Sequence, residues 1–170
     1  MATTQSSDYG FKDYDGEAGW GADFQLTDSL LIEFLEVTKI WTSSRLGPDE
    51  LRIDLLDAIR FLPQIFWYTH QPDGSWVCRF FGPEIVAVRG SDPTGRPLDK
   101  AEDNIVDRYV GAFLDLVVEV REPVSTESQS DVKGREHLRT QSVGLPVFDP
   151  DGKISGVIGA QVFYRPEESE

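Results

Sequence analysis

The sequence predicts an α+β domain: one five-stranded antiparallel sheet with helices on one face, preceded by flanking helices. Three observations predict it. Two stretches rich in aromatic and β-branched residues meet at the turn Gln71-Pro-Asp-Gly-Ser75. Three more strand-like stretches follow late in the chain, the last two around Asp149-Pro-Asp-Gly152. One long amphipathic helix lies between the two groups.

Residues 1–25 read as a flexible tail, with glycine, acidic residues and isolated aromatics in no regular period. Tyr9, Phe11, Tyr14 and Trp20 are candidate anchors if the tail docks on another protein. Residues 26–62 read as two flanking helices. The first spans 27–45, capped by Thr27 or Asp28, whose side-chain oxygen can accept from the free N–H groups of the first turn. Leu30, Phe34, Val37 and Trp41 form its stripe at 4-3-4 spacing. The second spans about 49–61, with Leu51, Leu55, Leu56 and Ile59 inward and Pro63 as its stop.

Residues 63–166 read as the core. Gln64–His70 and Trp76–Phe81 form a hairpin, because Pro72 presets φ and Gly74 supplies a positive one. Gly82-Pro83 opens a short helix to Arg89. The long helix covers 102–121. Ile105, Tyr109, Phe113, Leu116 and Val120 face one side, Val106, Val110, Leu114 and Val117 widen that face, and Pro123 ends it. The strands Val124–Ser130, His137–Phe148 and Ile154–Tyr164 complete the sheet.

Composition narrows the function classes. The chain has 170 residues, enough for one domain and an extension. Its formal charge is −14, from 30 acidic and 16 basic residues. Such a surface repels phosphate backbones and anionic lipid, so neither nucleic acid binding nor membrane insertion is expected. Cys78 is the single cysteine, so no internal disulfide forms and a reducing cytoplasm is the expected compartment. His70 and His137 stand apart, and no Cys/His cluster predicts a metal site. The polar N-terminus has no apolar signal-peptide region, and no apolar run is long enough to span a bilayer. No Ser-His-Asp, Cys-His or P-loop pattern is present, so no catalytic residues are assigned and no enzyme is expected.

The element order, with Phe61-Leu-Pro-Gln-Ile-Phe-Trp-Tyr68, Trp76-Val-Cys-Arg-Phe-Phe-Gly82 and Gly90-Ser-Asp-Pro-Thr-Gly-Arg96, resembles the PAS fold. More narrowly, it resembles a bacterial PAS family of short stand-alone alphaproteobacterial proteins. The resemblance covers about residues 27–165, and the Gly90–Arg96 loop is its most specific part. That loop also has a structural reading. Gly90 and Gly95 permit a tight path, Asp92 and Thr94 can bond nearby N–H groups, and Arg96 is expected to reach an acidic group.

The resemblance implies a regulator of bacterial signal transduction that partners signalling proteins such as histidine kinases, often as a homodimer. Leu30, Phe34, Val37 and Trp41 are the candidate dimer face, unless they pack on the chain's own sheet. PAS haem sensors carry an axial histidine on or near the long helix, and this helix has none. Light-sensing relatives use an Asn-Cys-Arg-Phe motif whose thiol attacks a flavin. Here Cys78-Arg79-Phe80 lies on a strand and lacks the preceding asparagine. No cofactor is therefore assigned. A small ligand between sheet and long helix is the alternative to a ligand-free interaction adaptor, and a small α+β enzyme is the third reading. Phe66, Tyr68, Phe80, Tyr109, Phe113, Thr140, Ser142 and Gln161 are the candidate ligand residues. A filled core favours the adaptor, a polar-lined cavity the sensor, and clustered carboxylates in a cleft the enzyme.

Overall fold

A computed structural model describes residues 19–21, 26–43, 59–99, 105–130 and 132–166. Ten elements run in order: β1 (Gly19–Gly21), α1 (Ser29–Ser43), a 3-10 turn (Ile59–Gln64), β2 (Ile65–His70), β3 (Trp76–Phe81), α2 (Pro83–Arg89), α3 (Ile105–Val120), β4 (Val124–Gln129), β5 (Arg139–Phe148) and β6 (Ile154–Tyr164). All strands belong to one sheet of order β1-β4-β5-β6-β2-β3, every neighbouring pair antiparallel.

The five predicted strands are present, and both hairpin turns carry their glycine at positive φ, 83° at Gly74 and 82° at Gly152. The sixth strand was not foreseen. Gly19–Gly21 lies inside the stretch read as a tail and pairs with Ser125–Glu127 of β4. The predicted second flanking helix falls mostly outside the described residues. Its end is a 3-10 turn that contains Pro63 instead of stopping before it, and Ile59 is exposed instead of inward.

Both faces of the sheet are covered. On the inner face, α2 and α3 pack over Phe66, Tyr68, Trp76, Cys78 and Val157. On the outer face, α1 crosses β5 and the margin of β6. Leu31 and Phe34 are fully buried there against Ile65, Val143, Leu145, Ile158 and Ala160. Burying each of these two side chains stabilises by about 2 kcal/mol.

Asp28 caps α1, its carboxylate accepting from the Leu30 and Leu31 N–H groups at 2.9 and 3.1 Å. Gln141 of β5, 1% exposed, accepts from the Thr27 and Asp28 N–H groups at 3.1 and 3.0 Å. The helix start is thereby pinned to the centre of the sheet. Phe34 is therefore part of the chain's own core and is not available as a dimer contact. Leu30 is half-buried, Val37 is exposed, and the Trp41 side chain lies outside the described residues.

The Gly90–Arg96 loop is held as predicted, with one correction. Gly90 and Gly95 adopt φ of 80° and 84°. Asp92 accepts from the Thr94 N–H at 3.0 Å and the Thr94 hydroxyl at 2.6 Å, which keeps its carboxyl below the usual range. Arg96 donates to the Asp92 backbone carbonyl at 2.6 Å, not to an acidic side chain. The loop then runs along β3: Gly95 N–H meets the Cys78 carbonyl, Cys78 N–H the Arg96 carbonyl, and Leu98 N–H the Trp76 carbonyl. It covers a sheet edge that would otherwise present unpaired backbone groups.

Candidate functional site: a cavity under the long helix

The inner face has a floor, a wall and a mouth. The floor comes from strand alternation in β4, β5 and β6. Thr126 pairs with Ser142, and Ser142 pairs with Gln161, so three polar side chains run in one row across three strands. Ser128 and Thr140 form the next row and share a hydrogen bond of 3.0 Å. Gln161 donates to the Ser142 hydroxyl at 3.1 Å.

Beside these rows the floor drops. Gly144 and Gly159 are paired across β5 and β6. A Cβ on Gly144 would stand 2.8 Å from the Phe113 ring, and one on Gly159 2.4 Å from the Phe66 ring. The missing side chains let both rings lie close to the sheet, edge to face, with centroids 6.3 Å apart. The wall is α3, which contributes Tyr109, Val110, Phe113 and Leu114. The mouth is made by Tyr68, Phe81 and Arg89, the last residue of α2.

These groups enclose a cavity of about 50 Å³. Tyr68, Phe81, Arg89 and Val110 also border a wider cleft of about 550 Å³, lined on its far side by Pro93, Arg96, Asp99, Asp107 and Lys133. Burial pushes the Tyr68 hydroxyl far above its ordinary pKa, so it remains a neutral donor at physiological pH.

Seven of the eight candidate ligand residues meet here: Phe66, Tyr68, Tyr109, Phe113, Thr140, Ser142 and Gln161. Phe80 does not. The register between β2 and β3 shifts between Trp67 and Tyr68: Phe80 is opposite Trp67, Cys78 opposite Tyr68, and Arg79 is the extra residue. This irregularity turns Phe80 to the outer face and delivers Phe81 to the cavity in its place. Sequence reasoning also missed Arg89, Thr126 and Ser128. The alternating Thr126 and Ser128 in a strand next to Thr140 and Ser142 was a legible signal. Arg89 was not legible, because nothing in a seven-residue helix says which way its last side chain turns.

No family model matches the sequence, and no curated protein matches it. Among solved structures the chain is similar to the structure of an RNA-binding light-oxygen-voltage receptor. The TM-score is 0.52 at 14% identity, over 88% of this chain and 39% of that one.

The fold is that of a PAS/LOV-type domain.

The chain spans about two fifths of that receptor's length, and the likeness is one of fold.

Flavin chemistry does not fit the residues of this chain. Cys78 is buried on β3 and borders the wider cleft, not the cavity. Burial, with the Asp92 carboxylate nearby, pushes its thiol up to about 11, so it is protonated at neutral pH and a poor nucleophile. A cavity of about 50 Å³ is too small for the three fused rings of a flavin. Neither histidine lines the cavity or the cleft. Among the described residues no cluster of His, Cys, Asp or Glu is placed to hold a metal, and no helix is long and apolar enough to cross a membrane.

Proposed function

We propose that this chain is a non-catalytic sensory domain of a signalling system. It binds a small molecule between the sheet and α3 and passes the bound state to another protein, such as a histidine kinase. The observation that carries this reading is the row of hydroxyl and amide groups set into the otherwise apolar lining of the cavity. A domain that serves only as an adaptor gains stability by filling that space with apolar side chains, as the outer face does. Here the same sheet sets hydroxyl and amide groups beside aromatic rings, the combination that holds and orients a small ligand.

The signal is limited by the ligand's difference in affinity between the domain's two states. Tyr109, Val110, Phe113 and Leu114 tie α3 to the cavity, so this helix is the element a ligand displaces. Interaction with a partner or a second copy through α1 uses its exposed residues, Ile32 and Val37. The RNA binding of the structural neighbour is not carried over, because a formal charge of −14 opposes a phosphate backbone.

The test is an assigned amide NMR spectrum before and after adding the dialysable small-molecule fraction of the host cells. Shifts gathered at Tyr109, Ser142 and Gln161 are the expected result. Shifts confined to α1, or none at all, would sink the sensor reading.

A further inference from the structure

We infer that the cavity takes a small organic monocarboxylate, its carboxylate held by Arg89 and its short apolar tail lying against Phe66 and Phe113. This deepens the sensor reading and rests on it.

Arg89 is the one charged residue among the described residues that line the cavity. Its Nε is buried and has no hydrogen-bond partner among the described residues. Its guanidinium stands over the Phe81 ring, 5.9 Å from the centroid, at the mouth where cavity and cleft meet. A guanidinium N–H withdrawn from water without an acceptor is unfavourable, and a planar carboxylate presents two oxygens at the spacing of the arginine fork.

The surroundings select among anions. A dianion such as phosphate would bring one charge more than Arg89 neutralises into a cavity that has no second cation among the described residues lining it. A monocarboxylate matches it one for one. Gln161 and Ser142 can donate to a carboxylate oxygen or to a keto or hydroxy group next to it, and Tyr68 enters as a neutral donor. Beyond them Phe66, Phe113 and Leu114 provide an apolar end. The small volume restricts that end to a few carbons unless Tyr109, half-buried at the edge, moves. Asp99 and Asp107 border only the wider cleft, and Asp107 already accepts the Asp99 N–H at 2.7 Å. Arg96 and Lys133 border the same cleft, so its two carboxylates are matched in number by cations and do not oppose an anion seated within the cavity.

The experiment is an amide and arginine-side-chain NMR titration of the full chain at constant ionic strength. The probes are propionate, butyrate and hexanoate, each beside its neutral amide. The acids are expected to shift the Arg89 Nε–H, Ser142 and Gln161, and to bind at least about tenfold more tightly than the amides. Arg89→Met is expected to remove that preference, with Arg89→Lys restoring part of it. Should Arg89→Met fail to fold, the acid-against-amide comparison in the unaltered chain decides alone. Equal binding of acids and amides at the cavity would overturn the carboxylate assignment and leave the sensor reading standing. No shift from any acid would also overturn it. The sensor reading falls with it only if the cellular small-molecule fraction is silent too.

Discussion

The two faces of this sheet are made by the same strands and solve opposite problems. Along β5, Gln141, Val143, Leu145 and Val147 point outward, while Thr140, Ser142 and Gly144 point inward. The outer set meets α1 and leaves an apolar core, in which the buried Gln141 binds the Thr27 and Asp28 N–H groups. The inner set meets α3 across two glycines and a row of hydroxyls and encloses space. A period of two assigns neighbouring residues to different environments, so one strand can carry both a filled core and a cavity floor. The outer face holds the domain together. The inner face gives up packing where a ligand is proposed to sit.

The largest expected effect lies on the outer face. Phe34→Ala should cost about 4 kcal/mol in urea unfolding, and Phe34→Glu should fail to fold instead of giving a folded monomer. A folded, stable Phe34→Glu would break the contrast. Gly159→Ala should cost about 3 kcal/mol, since its Cβ would lie 2.0 Å from the Val143 carbonyl oxygen. Gly144→Ala should cost less, because the neighbour that must yield is the Phe113 ring, which has the cavity beside it.

Two glutamines on opposite faces sharpen the comparison. Gln141→Leu strands two backbone N–H groups and should cost about 2 kcal/mol. Gln161→Leu puts an apolar group over the half-open cavity and should change stability by less than about 1 kcal/mol while impairing ligand binding. Equal losses in thermal melts would mean that the two faces are equally filled.

The inner face should also be the alkali-sensitive one. Burial raises both the Tyr68 hydroxyl and the Cys78 thiol, the latter from 9.0 to about 11, so the folded state holds these protons more tightly than the unfolded state. Stability from Cys78 is complete below pH 9 and is lost between pH 9 and about 11, by at most ~1.4 kcal/mol per pH unit. A melting temperature that does not fall across this range would contradict its burial. The smallest effect is Val37→Glu, within about 0.5 kcal/mol because Val37 is exposed. If α1 pairs with a second copy, light scattering should show the mass of this variant halved.

Much of this was legible in the sequence. Strand and helix periods located the sheet, the hairpin glycines and the long helix. Five of the cavity's residues, Phe66, Tyr68, Thr140, Ser142 and Gln161, followed from alternate strand positions facing that helix, and Tyr109 and Phe113 from the helix's own apolar stripe. What escaped depended on tertiary geometry. The register shift at Arg79 exchanged Phe80 for Phe81, and periodicity cannot reveal an extra residue in a strand. The stripe of α1 suited either a second chain or the chain's own sheet, and only the placement of Leu31 and Phe34 on β5 and β6 decided between them. The pairing of Gly19–Gly21 with β4 is main-chain bonding, for which glycine and tryptophan give no pattern.

The central claim is that the inner face holds a small molecule. Its most direct test is native mass spectrometry of the chain, taken straight from cells and again after incubation with their small-molecule fraction, beside the denatured spectrum. The account predicts an added mass of small-molecule size that disappears on denaturation and is lost in Gln161→Leu. Identical native and denatured masses in both preparations would contradict it and leave the cavity a packing defect in an adaptor.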